Sequence, residues 1–161
     1  KLKIKLILLE SLSLIFIING IRRLQIAYNG EKYDALINDD WGKFQSLTNE
    51  TVGDLFAFGA LWTLGIILFG ILSIGMINWK NKIKIINTVA VFIIIIGIAA
   101  TGFFMSGIVN KYLNYFCGLF AKSYSISFLI GGIILSLVGI TILWKTININ
   151  KKITVHNKVL W

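Results

Sequence analysis

The stretch LFAFGALWTLGIILFGILSIGMI, residues 55–77, most constrains how this chain folds, because it contains no charged residue. A helix that crosses the hydrocarbon core of a bilayer needs about 20 consecutive, mostly apolar residues. Thr51 followed three residues later by Asp54 has the form of a helix N-cap with an acid, which predicts the start of the helix here. Trp79-Lys80 closes the stretch, so polar groups stand at both of its ends. The stretch therefore predicts a membrane-spanning helix, and lipid as the solvent around it.

Three further segments have a similar apolar character, which gives four predicted helices at about residues 6–27, 55–77, 85–109 and 124–144. The hydrophobic content of 57% and the mean hydropathy of +0.81 lie outside the range of ordinary globular domains. With 161 residues, four spans leave no room for a soluble domain. We predict an all-α integral membrane protein: one membrane domain over residues 1–161, folded as a bundle of four transmembrane helices.

The first predicted helix begins after three lysines in the sequence KLKIK. A basic start followed by an apolar core is typical of a secretory signal peptide, but no small-x-small cleavage site follows residue 21. We therefore expect a signal anchor that stays in the protein as a helix. Ile17, Ile21, Leu24 and Tyr28 continue the helical spacing beyond the apolar core and are expected on one packed face. This spacing predicts that Arg22 and Arg23 point away from that face.

The distribution of charge predicts the topology. The net charge is +9, and the N-terminus, the 78–84 connection and the C-terminal end from residue 145 hold ten basic residues and no acid. Because basic residues favour the cytoplasmic side, both termini are predicted to be cytoplasmic, with the tail 146–161 inside and the loop 28–51 outside. The lysines at helix ends are expected to contact anionic lipid headgroups in a bacterial cytoplasmic membrane or an organelle inner membrane. This placement disfavours a nucleic-acid partner.

Small residues form a stripe along each of the last three predicted helices. Such stripes let helices approach closely in lipid, where burying leucine gives no driving force. We predict helix packing through Gly59, Thr63, Gly70 and Ser73 of the second helix, Gly97, Ala100 and Gly107 of the third, and Gly132, Ser136 and Gly139 of the fourth.

Glu10 is the sharpest single candidate for a functional residue. A carboxyl group at membrane depth costs about 2–3 kcal/mol, which makes it a candidate ion or proton site by default. The alternative is a pairing with a lysine near the interface, since Lys5 is only about one turn away. In the outer loop, Asp39, Asp40 and Trp41 are candidates for an external contact, with a solvated acidic loop as the alternative.

The residues that usually carry chemistry are nearly absent. The chain has one cysteine, no histidine within a predicted span and no second carboxylate within one, so we predict no catalytic residue, no metal site and no cofactor. The leading hypothesis is a non-enzymatic membrane interaction protein: a subunit, assembly factor or immunity-type partner of a membrane complex. The expected partners are other membrane-protein subunits or further copies of this chain, and a homo-oligomer alone would favour transport. The alternative is a small oligomeric transporter or channel that uses Glu10 as its ion or proton site.

Overall fold

The structure is a computed structural model, and it describes residues 3–105 and 107–159 of the chain. These residues form seven α-helices and no strand: α1 (Ile4–Tyr28), α2 (Gly30–Ile37), α3 (Trp41–Leu47), α4 (Val52–Lys80), α5 (Ile85–Ala100), α6 (Gly107–Gly118) and α7 (Tyr124–Val159). The predicted all-helical class is therefore confirmed for the described part of the chain.

Three of these helices are long and apolar enough to cross a membrane: α1, α4 and the Tyr124–Asn148 part of α7. This finding supports a membrane protein. The fourth apolar helix, α5, has 16 residues, which corresponds to about 24 Å of helix. The sequence predicted a continuous third helix over 85–109, but α5 ends at Ala100 and a turn follows, with Gly102 at φ 74°. Residue 106 of that predicted segment lies outside the described residues.

Both ends of α4 have defined caps. At the start, Thr51 and Asp54 form a reciprocal capping box, as the Thr-x-x-Asp pattern predicts. At the end, the N–H of Ile83 donates to the carbonyl of Asn78, and that of Lys82 to Trp79. This is the Schellman arrangement, whose left-handed position is usually glycine. Lys82 holds it here with φ 53°, at a cost of about 1 kcal/mol relative to glycine.

Helix α1 is the centre of the molecule, because it packs along α7 for most of its length and also contacts α4 and α5. Glycines allow the close approach of α1 and α7: a Cβ on Gly132 would lie 2.9 Å from the carbonyl oxygen of Gly20. Ser13 donates from Oγ to the carbonyl of Gly139 at 2.8 Å. Contact between backbones at small residues therefore joins the two helices, as membrane helix pairs commonly do.

The predicted outer loop 28–51 contains two short helices, α2 and α3, which lie across one end of the bundle. Their apolar sides meet the start of α4 in a small cluster of Ala35, Phe44 and Leu55. At the other end of the chain, the predicted polar tail 146–161 continues α7 as a helix to Val159, and its last two residues lie outside the described residues.

Candidate functional site

Helix α1 carries an unusual number of polar side chains that neighbouring helices cover. They lie in two groups, one near each end of the helix, and consist of Glu10, Ser11, Ser13, Asn19, Arg22, Arg23 and Gln25. Polar side chains inside a bilayer avoid lipid by facing the bundle interior. We name the group around Glu10 the acidic layer and the group around the two arginines the basic layer.

The acidic layer joins α1 to α4 and α5. Glu10 is 2% exposed, and Asn78 donates from Nδ2 both to Glu10 Oε2 and to Thr88 Oγ1, each at 3.1 Å. No lysine or arginine forms an ion pair with Glu10 among the described residues, in which the only such pair is Lys32–Glu50. Lys5, the lysine considered for an interfacial pairing, thus forms no ion pair with Glu10. Asn78 Oδ1 is also buried with no hydrogen-bond partner in the described structure.

In the basic layer, Arg22 holds α1 against α4. Its Nη1 donates to the carbonyl oxygen of Gly59 and to Thr63 Oγ1, both at 3.2 Å. A Cβ on Gly59 would lie 3.2 Å from that same Nη1, so a larger residue would shift the guanidinium by a few tenths of an ångström. Gln25 is buried beside Arg22, and neither atom of its amide group has a partner among the described residues.

Arg23 ties α1 to α6 and is fully buried, at 0% exposed. Its Nη1 donates to Asn19 Oδ1 at 3.1 Å, and its Nη2 donates to Asn110 Oδ1 at 3.0 Å and to Asn114 Oδ1 at 2.9 Å. Amide and carbonyl oxygens therefore surround the guanidinium, and no carboxylate forms an ion pair with it in the described part of the chain.

An apolar block separates the two layers. Glu10 and Arg22 are 12 residues apart on one helix, which corresponds to about 18 Å. The space between them is filled by fully buried aliphatic side chains of α1, α4 and α5: Leu14, Ile18, Ile67, Ile74, Val91 and Ile95. The two polar layers therefore connect α1 to its neighbouring helices at two separate levels of the bundle.

The prediction for the arginine pair was wrong. Arg22 and Arg23 face the packed interior, whereas Tyr28, expected on the packed face, is 89% exposed. The physical reason is that in a lipid environment the interior takes the polar side chains and the surface keeps the apolar ones. Sequence reasoning also missed Asn78 and Asn19, although Asn19 and Arg23 share a helix face at spacing i, i+4.

The predicted packing residues of the second and fourth helices lie mostly against α1. Gly59 and Thr63 contact Arg22, and a Cβ on Gly70 would lie 2.8 Å from Leu14 Cδ2. Gly132 and Gly139 meet the backbone of α1, and Ser136 adjoins Gly20. Ser73 instead bonds the carbonyl of Phe69 within its own helix.

The predicted stripe on the third helix does not face the interior. Gly97 and Ala100 are exposed, and a Cβ on Gly97 would meet no atom of the described structure within 4 Å. Gly107 lies beyond the turn at the start of α6, so it is not on the same helix as the other two. The buried side of α5 consists of Asn87, Val91 and Ile95. Branched aliphatic side chains fill the bundle centre here, which leaves the small residues facing outward.

The predicted external-contact residues lie at the exposed turn between α2 and α3. Asp40 caps α3 by accepting from the backbone N–H of Lys43 at 3.0 Å, which gives this side chain a structural role. Asp39 and Trp41 are exposed on either side of it. Nearby, the hydrogen bond from Lys32 lowers the pKa of Glu50, and the exposure of this pair limits what it adds to stability.

Two other titratable groups lie where the connections cover the bundle end. Burial raises the pKa of the Tyr33 phenol, against the opposing effect of Arg22. Burial also raises the pKa of the Cys117 thiol, although Arg23 opposes it. A buried, protonated thiol is a poor nucleophile. Among the described residues, no three His, Cys, Asp or Glu side chains come together as a metal site would require.

No protein-family model matches this chain, and neither a curated protein nor a solved structure is significantly similar to it.

Proposed function

We propose that this chain is a non-enzymatic membrane interaction protein, a subunit, assembly factor or immunity-type partner of a membrane complex. It spans the membrane four times, with α5 and the turn after it as the short third span, and both termini are cytoplasmic by the positive-inside rule. A bacterial cytoplasmic membrane or an organelle inner membrane is the expected location. The single observation that carries the proposal is the outward stripe of α5.

On α5 that stripe consists of Gly97 and Ala100, which are exposed, and it is extended by the half-buried Ala90 and by the exposed C-cap residue Thr101. Lipid tails gain nothing from meeting small side chains, whereas another helix gains close backbone contact. The stripes of α4 and α7 are already used against α1, so α5 keeps a face of this kind for a second protein. The exposed turn with Asp39 and Trp41 offers an additional contact outside the membrane.

Replacing Gly97 by Leu tests this proposal. We expect Gly97→Leu to keep the fold, because its Cβ meets open space, and to lose the partner from a pull-down at native expression level. The matched control is Gly65→Leu on α4, an exposed glycine whose Cβ also meets open space. Equal recovery of the same companions with both variants would contradict a docking role for α5.

The second candidate is a small oligomeric transporter or channel, favoured by one observation. Glu10 is a buried carboxyl at membrane depth without a cation partner in the described structure, and the unpartnered Oδ1 of Asn78 lies on a side chain that contacts it. The apolar block between the two layers weighs against this candidate, because it interrupts any polar path along α1.

Glu10→Gln separates the two candidates. Glutamine keeps an oxygen that accepts from Asn78 and removes a buried charge, so we expect unchanged or higher thermal stability. An interaction protein then keeps its companions and shows no ion flux in liposomes. A transporter shows flux in the wild type and loses it in Glu10→Gln; that result would replace the leading proposal with the second.

A further inference from the structure

A groove lies between the adjoining ends of α4 and α5, with a volume of about 490 Å³. Apolar side chains form most of its lining, including Leu72, Met76, Trp79 and Ile83. Gly75 also lines the groove and, having no side chain, leaves space in it. This volume falls within the usual range for small-molecule sites, about 300–1,000 Å³. Trp79 is 82% exposed at one end of the groove, as expected for an indole at the level of lipid headgroups.

Three lysines adjoin, along the chain, the residues that line this end of the groove. Lys80, Lys82 and Lys84 are exposed, and each is a chain neighbour of a residue that lines the groove, namely Trp79, Ile83 or Ile85. Neighbouring Cα atoms are about 3.8 Å apart, so each lysine leaves the backbone beside the groove, and its side chain is long enough to reach the groove end. The connection 78–84 contains no acid that would neutralise them.

The backbone holds this basic turn in a defined shape. The two Schellman hydrogen bonds, from Ile83 to Asn78 at 2.9 Å and from Lys82 to Trp79 at 3.0 Å, fix the chain between Trp79 and Ile83. Lysine takes the left-handed position that glycine occupies more easily. Lys82 thus places a positive charge next to a groove residue, at a position where glycine would give the more stable backbone.

A second groove provides the comparison. It has a volume of about 430 Å³ and is lined by apolar residues of α1 and α4, among them Trp62 with Gly65 on its floor. It resembles the first groove in size and lining, but α4 contains no lysine or arginine between residues 52 and 79. Arg22, the chain neighbour of the lining residue Ile21, is buried and bonded to Gly59 and Thr63. A preference for charged lipids is therefore expected at the first groove alone.

We propose that the groove between α4 and α5 binds one anionic phospholipid. An acyl chain lies along Leu72, Gly75 and Met76, and the phosphate contacts Lys80, Lys82 and Lys84. Basic residues at the cytoplasmic end of helices attract acidic headgroups, each lysine adding about five-fold in affinity. A zwitterionic phospholipid has the same acyl chains but lacks the net charge that the lysines select. This site is independent of whether the chain is a complex subunit or a transporter.

The test compares the full chain, delipidated in mild detergent, with phosphatidylglycerol and with phosphatidylcholine of identical acyl chains. Native mass spectrometry gives the fraction of each lipid bound, and thermal melts give the stability of each variant. In the wild type, we expect phosphatidylglycerol to bind at least about ten-fold more tightly than phosphatidylcholine.

Lys82→Gly is the most informative variant. We expect about five-fold weaker binding of phosphatidylglycerol, unchanged binding of phosphatidylcholine, and an equal or higher melting temperature without lipid, since glycine suits this backbone. Lys80→Gln, Lys82→Gln and Lys84→Gln together are expected to abolish the preference. If Lys82→Gly binds phosphatidylglycerol as tightly as the wild type, the headgroup site is wrong.

Gly75→Leu and Gly65→Leu test the acyl-chain groove as a matched pair. Position 75 accepts a Cβ, which would meet Thr88 Cγ2 at an ordinary 3.5 Å, and the remainder of a leucine side chain is expected to occupy the first groove. We expect Gly75→Leu to weaken phosphatidylglycerol binding at least about ten-fold, because the leucine occupies the place of the acyl chain. We expect Gly65→Leu to leave phosphatidylglycerol binding unchanged. Equal effects of the two variants would overturn the assignment of the lipid to this groove.

Discussion

Arg23 shows at the scale of one residue how this protein uses polarity. Its guanidinium is buried in a bundle that otherwise presents apolar surface. Asparagine oxygens from two helices accept from both of its Nη groups, whereas its Nε has no hydrogen-bond partner in the described structure. A buried charge tolerates the loss of an acceptor poorly, because the remaining group keeps its desolvation cost. The asparagines of α6 are therefore as important to the fold as Arg23 itself.

Asn114→Ala tests that dependence. It removes one acceptor from Arg23 Nη2, and we expect the free energy of unfolding to fall by about 2 kcal/mol, the usual contribution of a hydrogen bond to a charged group. The measurement is SDS-induced unfolding in mixed micelles, followed by tryptophan fluorescence. Lys111→Ala, at an exposed lysine of the same helix, is the control. A loss no larger than that of the control would show that Arg23 does not need Asn114.

Helix pairs are the next scale, and α1 with α7 is the pair on which the bundle depends. Their interface is built from backbone contact at Gly20, Gly132 and Gly139 and from the hydrogen bond of Ser13. Such an interface has no space for a larger side chain, because each glycine faces a backbone atom of the opposite helix.

Gly132→Leu is expected to break this pair. Its Cβ alone would lie 2.9 Å from the carbonyl oxygen of Gly20, and the longer side chain forces the helices apart. We expect a fall of 3 kcal/mol or more, at about the level of severe overpacking, or failure to purify as a folded protein. Gly65→Leu, on an open face of α4, keeps wild-type stability. Wild-type stability of Gly132→Leu in the same SDS assay would refute the backbone contact.

Much of each element was predictable from the sequence, because helix length and apolar character are local properties. Residues 55–77 predicted α4, and Thr51 with Asp54 marked its start. The direction in which each helix faces was harder to predict. Arg22 was predicted to face outward because charged side chains of water-soluble helices avoid the core, but it is buried. The small residues of α5 were predicted to face inward because small residues pack helices together in lipid, but Gly97 and Ala100 are exposed.

The candidate site was only partly predictable for the same reason. Glu10 stood out as a carboxyl within an apolar segment, but its partner Asn78 lies 68 positions further along the chain at the end of another helix. Which residue meets Glu10 depends on how α1 and α4 cross, and a single sequence does not contain that information. Arg23 and Asn114 are 91 positions apart and were missed in the same way.

At the scale of the whole molecule, the chain is a closed bundle with polar ties inside and apolar surfaces outside. The filled centre between the acidic and basic layers disfavours a pathway through one copy. The outward stripe of α5 and the exposed turn between α2 and α3 are surfaces suited to other proteins. These surfaces support our proposal that the protein functions through contacts with other membrane proteins.

The mass of the intact particle tests that assignment most directly. The protein is purified in mild detergent at its native expression level, and native mass spectrometry then separates one copy of 18.1 kDa from larger assemblies. We predict a stable particle that contains other membrane proteins, and their loss in Gly97→Leu. A particle built from this chain alone, unchanged in Gly97→Leu, would contradict the account.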